Sequence, residues 1–197
     1  MFTRSQARAF ITAIACTIAC TALPARAQAD RDLDVQVQIV GDEVQSSATL
    51  FVRASQQRVW DVITDYERAP AFTRDLQVSK VISRSGNTLR VLQKNQIRFG
   101  PFSLPVETVR DVKLVAPVKV DARLVSGSMK KYDSVTELVP EGGGTRIVFR
   151  SQAVLNGMLA GFATESFVKR ETEDRMRQLR TEIMRREHVA SARQSGG

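Results

Sequence analysis

The chain contains 197 residues and carries a formal net charge of +8, from 29 basic and 21 acidic side chains. This length suits one domain with a sizeable core, since a chain of ~150 residues already buries roughly two-thirds of its unfolded surface. So modest a positive charge does not indicate nucleic-acid binding, and two cysteines and one histidine are too few for a Cys/His metal site. We therefore expect no nucleic-acid partner, no metal and no cofactor.

Residues 1–29 have the pattern of a secretory signal peptide. Two arginines precede an uncharged run over residues 9–23, and two overlapping small-residue sites end at Ala27 and Ala29. The run is shorter than the ~20 apolar residues that a transmembrane helix needs. We expect export across the inner membrane to the periplasm, with cleavage after Ala27 or after Ala29. Both cysteines would leave with the signal, so the mature chain would contain no disulfide.

The domain predicted over residues 30–188 begins with strands and two short helices. Apolar and polar residues alternate over 33–40 and 49–54, which predicts one or two strands of a half-buried sheet. Ser55 is suited to cap a helix, and a second short helix is predicted to begin at Asp65.

From residue 76 onward the sequence alternates with a period of two residues, interrupted by turns that contain glycine or proline. The strands predicted from this pattern lie at 76–82, 89–99, 104–116, 118–124, 132–139 and 145–154. Because short turns join successive strands, we expect them to pair as an antiparallel meander. The order of elements predicts an α+β layout with a sheet of six or seven strands.

A long amphipathic helix is predicted over residues 155–187. Its first half is apolar and small, and its second half is dense in charge, with a narrow apolar stripe from Met176 to Ile183. Before Met176 the stripe is interrupted on the same face by polar residues, namely Glu165 or Ser166, Lys169 and Thr172. A sheet that wraps this helix without filling the space beneath it would leave a cavity there. The remaining segment, 189–197, is predicted to be a disordered tail.

The charged half of this helix also bears on partners. Its basic residues alternate with acidic residues at spacings suited to ion pairs, which favours a solvated face laced with salt bridges. The alternative is a transient contact of this basic face with an anionic membrane surface.

Residues 59–82, VWDVITDYERAPAFTRDLQVSKVI, resemble the first signature of the START-like (SRPBCC) superfamily, in its coenzyme Q-binding and polyketide cyclase/dehydrase branch. The residues that carry the resemblance are Val59-Trp60, the turn Thr64-Asp65-Tyr66, Pro70 with Phe72, and the strand after Leu76. The segment from Gly127 through Tyr132 to Gly143-Gly144-Thr145-Arg146 is similar to the second half of that family. Members of the branch often carry tryptophan near the position of Tyr132.

This resemblance spans about residues 44–187 and implies a helix-grip fold. In that fold a curved antiparallel sheet surrounds a long C-terminal helix and encloses an apolar cavity for a lipid, a quinone or a polyketide-like molecule. The residues that we then expect to line the cavity are Phe99, Val106, Leu124, Tyr132, Met158, Phe162, Ser166 and Thr172.

Catalysis has little support in the sequence. The single histidine, His188, lies at the end of the long helix, where a solvated side chain is expected, and no serine has a base in view. A cyclase or dehydratase would still need only an acid or a hydroxyl group in a dry pocket. The candidates for that role are Glu165, Glu107, Tyr132 and Arg110. Glu165 comes first because it falls on the interrupted helix face, and an ion pair with Lys169 is its alternative role.

These observations favour a monomeric periplasmic protein that binds or carries a hydrophobic small molecule and is not an enzyme. Two alternatives stay open: a cyclase or dehydratase acting on a polyketide-like substrate, and an interaction module whose cavity is only structural. A titratable group deep in the cavity would distinguish the enzyme from the carrier, and a filled core would indicate the interaction module.

Overall fold

The computed structural model describes residues 32–195, apart from the side chains of Met158 and of the last two of these residues. The predicted signal peptide and both of its cleavage sites lie outside the described residues. The predicted ligand-binding domain lies almost entirely within them.

Every strand of the described chain joins one antiparallel sheet, in the order β1-β2-β8-β7-β6-β5-β4-β3. The strands are β1 Leu33–Val40, β2 Glu43–Val52, β3 Leu76–Ser85, β4 Thr88–Phe99, β5 Phe102–Val115, β6 Lys119–Gly127, β7 Met129–Glu141 and β8 Gly144–Leu155. The predicted antiparallel sheet is confirmed, but it has eight strands rather than six or seven. Strands β1 and β2 form a hairpin at the start of the described chain. Val40 pairs with Glu43 at its turn, where Gly41 has a φ of 62°.

Register shifts bend this sheet. They occur in the pairings of β3 with β4, of β5 with β6 near Arg110, and of β7 with β8 near Lys131. An extra residue on one strand of a pair locally increases the bend and the twist. The sheet therefore has a concave face that can receive a helix.

The described chain also contains three α-helices and a 3-10 turn. They are α1 Gln56–Ile63, the 3-10 turn Ala69–Ala71, α2 Gly157–Phe162 and α3 Glu165–Ser195. Ser55 caps α1 as predicted, since its Oγ accepts a hydrogen bond from the Arg58 N–H at 3.2 Å. The second short helix, predicted to begin at Asp65, is only the 3-10 turn that follows.

The long helix predicted over residues 155–187 is two helices. The backbone is extended at Ala163, and Thr164 then caps α3, because its Oγ1 accepts a hydrogen bond from the Phe167 N–H at 3.2 Å. The C-terminal bound also differs from the prediction, since α3 continues to Ser195 and includes most of the segment expected as a disordered tail. Residues 189–195 contain neither glycine nor proline, so nothing in this segment interrupts the helix.

The hydrophobic core lies under the second half of α3. Its most deeply buried side chains come from four strands and two helices and include Leu50, Val59, Val91, Val112, Ile147 and Ile183. Met176 and Ile183 of the predicted apolar stripe are buried, so the stripe faces the sheet. Helix α3 packs on β1, β2 and α1. The half of α3 before Met176 contributes little to this core.

Ion pairs fix the second half of α3 against the region after α1. Arg186 donates hydrogen bonds to Asp65 at 2.9 Å and to Glu182 at 2.7 Å. Hydrogen bonds from Arg185 and then Arg186 lower the pKa of Glu182 to about 2, against the opposing effect of its burial. These pairs hold the helix so that its first half projects over the concave face of the sheet. No described helix is long and apolar enough to cross a membrane.

Candidate ligand cavity

A cavity of about 430 Å³ lies between the concave face of the sheet and the first half of α3. Strands β2 to β8 of the sheet contribute to the lining, and the region after α1 closes one side. Val168, Thr172 and Met176 of α3 form part of the roof. Most lining side chains are apolar, and the volume falls within the ~300–1,000 Å³ typical of small-molecule sites. The cavity exists because the core packing of α3 begins only at Met176.

Four of the residues predicted to line the cavity do line it: Phe99, Val106, Tyr132 and Thr172. Leu124 does not, because the cavity reaches β6 only at Val120 and Ala122. The side chain of Met158 lies outside the described part of the chain.

The helix break displaces Phe162 and Ser166 from the cavity. Phe162 ends α2 and is 39% exposed, with its ring stacked on Phe99 at 4.9 Å between centroids. Ser166 is exposed in the first turn of α3, with its Oγ 3.2 Å from Thr164 Oγ1. The single helix expected from the sequence would have placed both residues on the inner face.

Two of the four candidate catalytic residues also lie outside the cavity. Glu165 is exposed, and its Oε1 accepts a hydrogen bond from the Ile39 N–H at 3.2 Å. Glu107 is exposed and pairs with Lys94 at 2.8 Å. Only Arg110 and Tyr132 of this group face the cavity.

Arg110 lies at the centre of a polar cluster in the largely apolar lining. Its Nη2 donates a hydrogen bond to Gln93 Oε1, and its guanidinium carbon lies 5.6 Å from the centroid of the Tyr132 ring. Gln93 Nε2 in turn donates to the buried Ser79 Oγ at 3.1 Å. Strands β3, β4, β5 and β7 thus bring together four polar groups that are far apart in the sequence.

Tyr66 also belongs to this cluster. It follows α1 and lines the cavity, where loss of solvent raises the pKa of its hydroxyl group to about 12. The nearby charge of Arg110 acts in the opposite direction and lowers the pKa of Tyr66. The hydroxyl therefore stays protonated at neutral pH and can donate a hydrogen bond. The sequence singled out Tyr66 only as part of a turn that marks the fold.

A carboxylate that the sequence reasoning missed enters the cavity from the roof. Glu171 is half-buried, and its desolvation, followed by the charge of Asp75, raises the pKa of its carboxyl group. Arg175 acts in the opposite direction. The sequence does contain a signal for this placement. Residues four apart lie on the same face of a helix, and steps of four residues back from Leu179 in the apolar stripe reach Arg175 and then Glu171.

On the sheet side of the cavity, three serines occupy matching register positions on β2, β8 and β7. Ser46 pairs with Ser151, which pairs with Ser134, and all three line the cavity. The Oγ atoms of Ser46 and Ser151 are 2.8 Å apart. Within residues 32–195, no group of three or more His, Cys, Asp or Glu side chains is placed to hold a metal ion.

The curved sheet, the long C-terminal helix and the cavity between them define a helix-grip protein of the START-like (SRPBCC) superfamily. The sequence profile of the family described as "Polyketide cyclase / dehydrase and lipid transport" matches residues 43–183, and the chain belongs to that family. No curated protein sequence matches the chain.

Solved structures share the fold at low sequence identity. A STAR-related lipid transfer protein from Xanthomonas axonopodis has a TM-score of 0.62 and 13% identity, over 78% of this chain and 94% of that one. The Zhui aromatase/cyclase from a Streptomyces species has a TM-score of 0.58 and 13% identity, over 75% and 98%. A START superfamily protein from Mycobacterium smegmatis has a TM-score of 0.55 and 15% identity, over 72% and 97%. These similarities establish the fold and leave the activity open.

Proposed function

We propose that the protein binds a hydrophobic small molecule in the cavity beneath α3 and carries it. The observation that carries this proposal is the cavity itself, a largely apolar space of about 430 Å³ roofed by a helix whose packing starts only at Met176. Burial of a ligand contributes about 0.8 kcal/mol per methylene before the costs of association, so an apolar molecule needs no covalent or metal contact to be held. The lipid transport in the description of the family agrees with this function.

Carriage is tested by transfer of a fluorescent fatty acid from donor to acceptor vesicles. We expect the protein to accelerate transfer in proportion to its concentration. If the protein binds the fatty acid but does not accelerate its transfer, carriage is refuted and only ligand binding remains. If it does not bind the fatty acid at all, the whole proposal is refuted.

A cyclase or dehydratase is the second candidate, and Glu171 is the observation that favours it. Its half-buried carboxyl group has a raised pKa and faces the same space as Tyr66 and Arg110. In the protonated form that desolvation favours, this carboxyl group can donate a proton to a hydroxyl group, which departs as water, and the carboxylate left behind can take up the proton lost from the adjacent carbon. Turnover of a polyketide-like substrate that Glu171→Gln abolishes, with binding retained, would establish this alternative.

We further propose that the rim of the cavity makes a transient contact with anionic membranes. Phe102, at the tip of the β4–β5 hairpin, is 65% exposed. Phe99 pairs with Phe102 across this hairpin, and the ring of Phe162 stacks on Phe99. On the adjoining turn of α3, the Arg170 guanidinium carbon lies 5.8 Å from the Phe167 ring centroid. Exposed aromatic rings beside a cation suit an interface of acyl chains and acidic headgroups.

The membrane contact is tested by co-sedimentation with phosphatidylcholine vesicles, with and without phosphatidylglycerol. We expect Phe102→Ser to reduce binding to the acidic vesicles. Val139→Ser, at an exposed site on the opposite end of the sheet, is the matched control and should bind like the wild type. Equal binding by both variants would refute this contact.

Export to the periplasm is a proposal that rests on the pattern of residues 1–29 alone. It also fits a carrier that works as a monomer between membranes.

A further inference from the structure

Arg110 is a cation placed in an apolar cavity without an acidic partner. None of the ion pairs among the described residues involves it; its guanidinium is hydrogen-bonded to the Gln93 side-chain oxygen and lies over the face of the Tyr132 ring. Its Nε is fully buried and has no hydrogen-bond partner within residues 32–195. A buried charge normally requires a counter-charge or a full set of hydrogen bonds, because the loss of hydration is costly.

The acidic groups of the cavity lining do not fill this role. Asp75 and Glu171 are the acids of the lining, and Asp75 pairs with Arg98, at 3.9 Å. The charges that act on Glu171 are those of Asp75, Arg175, Asp174 and Arg74, and Arg110 is not among them. The positive charge of Arg110 is therefore available to a bound molecule.

The neighbours of Arg110 orient it without neutralising it. Ser79 accepts a hydrogen bond from Gln93 Nε2, which turns the amide oxygen of Gln93 toward Arg110 and fixes one edge of the guanidinium. The Tyr132 ring attracts the cation through its π face and adds no charge. The Nε–H has no acceptor among the described residues, and the protonated hydroxyl of Tyr66 is another donor that lines the same cavity.

We propose that Arg110, held by Gln93 and Tyr132, forms a subsite for a negatively charged oxygen of the ligand, so that the cargo is an acidic amphiphile rather than a neutral lipid. This inference rests on the proposed function, since it names the class of molecule that the same cavity binds. A carboxylate on an acyl chain and an ionised phenol or enol on a fused-ring molecule share the required chemistry. Either would complete the hydrogen bonding of the guanidinium by a charge-assisted bond.

The test compares acids with neutral analogues of the same shape, by displacement of Nile red from the wild-type protein. The acyl series is oleate, methyl oleate and oleyl alcohol, and the fused-ring series is alizarin and its dimethyl ether. We expect the acid to bind about tenfold more tightly than its neutral analogue in the series that fits the cavity. The series that shows this preference identifies the source of the acidic oxygen.

Variants of Arg110 provide the second arm. We expect Arg110→Gln to reduce the preference for the acid to within about twofold while binding of the neutral analogue is kept, and Arg110→Lys to retain part of the preference. Arg123→Gln is the matched control, because Arg123 is 84% exposed outside the cavity and its loss changes the net charge equally. Circular dichroism establishes that each variant is folded.

The outcomes separate this inference from the proposed function. Equal affinity of the wild type for acid and neutral analogue would overturn the anionic subsite, whether or not Arg110→Gln folds. An acid preference that Arg110→Gln leaves intact, or that Arg123→Gln also removes, would overturn it as well. If no compound of either series displaces Nile red, the neutral ones included, the proposed function itself would be refuted.

Discussion

Replacing Thr172 by tryptophan should close the cavity from its roof. Thr172 lines the cavity from α3, and its Oγ1 is bonded only to the Val168 carbonyl oxygen of the same helix, at 2.8 Å. The larger side chain adds roughly 100 Å³, a volume that a filled core could not accept but a cavity can. That is about a quarter of the 430 Å³ available.

The loss of affinity follows from the volume removed. Room for roughly four methylenes disappears, and at about 0.8 kcal/mol each the ligand loses about 3 kcal/mol of binding free energy. This corresponds to a Kd that is about 100-fold higher. Because the new side chain enters empty space, we expect the unfolding temperature to change by less than about 3 °C.

The assay is equilibrium binding of Nile red and oleate, followed by fluorescence. Ser166→Trp is the matched control, since it places the same side chain on the same helix but at an exposed position outside the cavity. We expect Ser166→Trp to bind like the wild type. Wild-type affinity in Thr172→Trp, or an equal loss in both variants, would refute the location of the site beneath α3.

Three other predictions concern stability, chemistry and export. Glu182 has a pKa lowered to about 2, so its ion pairs contribute stability above the ordinary pKa of 4.5 and lose it as the pH falls toward 2. Thermal unfolding should show that Glu182→Gln costs on the order of 2 kcal/mol at neutral pH and little at the acid end of this window; an equal cost at both would contradict the pairing. Under the carrier function, Glu171→Gln should leave the Kd of oleate within about threefold by dye displacement, since the burial of the acyl chain dominates binding; a loss beyond tenfold would make Glu171 a binding residue. N-terminal sequencing of exported protein should begin at Gln28 or Asp30, and a retained Met1 would rule out the predicted signal peptide.

The fold could be predicted because its signals are local. The two-residue period from Leu76 onward, the cap at Ser55 and the stripe from Met176 to Ile183 each depend on residues that are close in sequence. The turn at Gly41 has the same local character, although its hairpin adds a strand to the number expected. Such patterns specify elements and the order in which they pair.

The site could be predicted only in part because it depends on distant contacts. The helix break at Ala163 and Thr164 coincides with the stacking of Phe162 and Phe167 on Phe99, which ends strand β4. The residues near position 163 do not indicate that contact. The sequence therefore predicts Glu165 on the inner face of the helix, whereas the structure places it outside the cavity.

The polar cluster illustrates the same limit. Strand pairing brings Arg110 opposite Val91 and Thr108 opposite Gln93, and this register places Gln93 beside the guanidinium. Sequence reasoning selected Arg110 and Tyr132 but gave Gln93 no role. The register of a pair of long strands is set by the whole sheet and its bulges, which a local pattern does not contain.

The central claim, that the cavity beneath α3 holds a hydrophobic molecule, is tested most directly by native mass spectrometry of the protein isolated from its own host. The Thr172→Trp variant, isolated in the same way, is the reference. We expect the wild type to carry one small molecule per chain that organic extraction releases and that the variant lacks. A wild-type protein with the bare mass of the chain, and an extract no richer in hydrophobic material than that of Thr172→Trp, would contradict the claim.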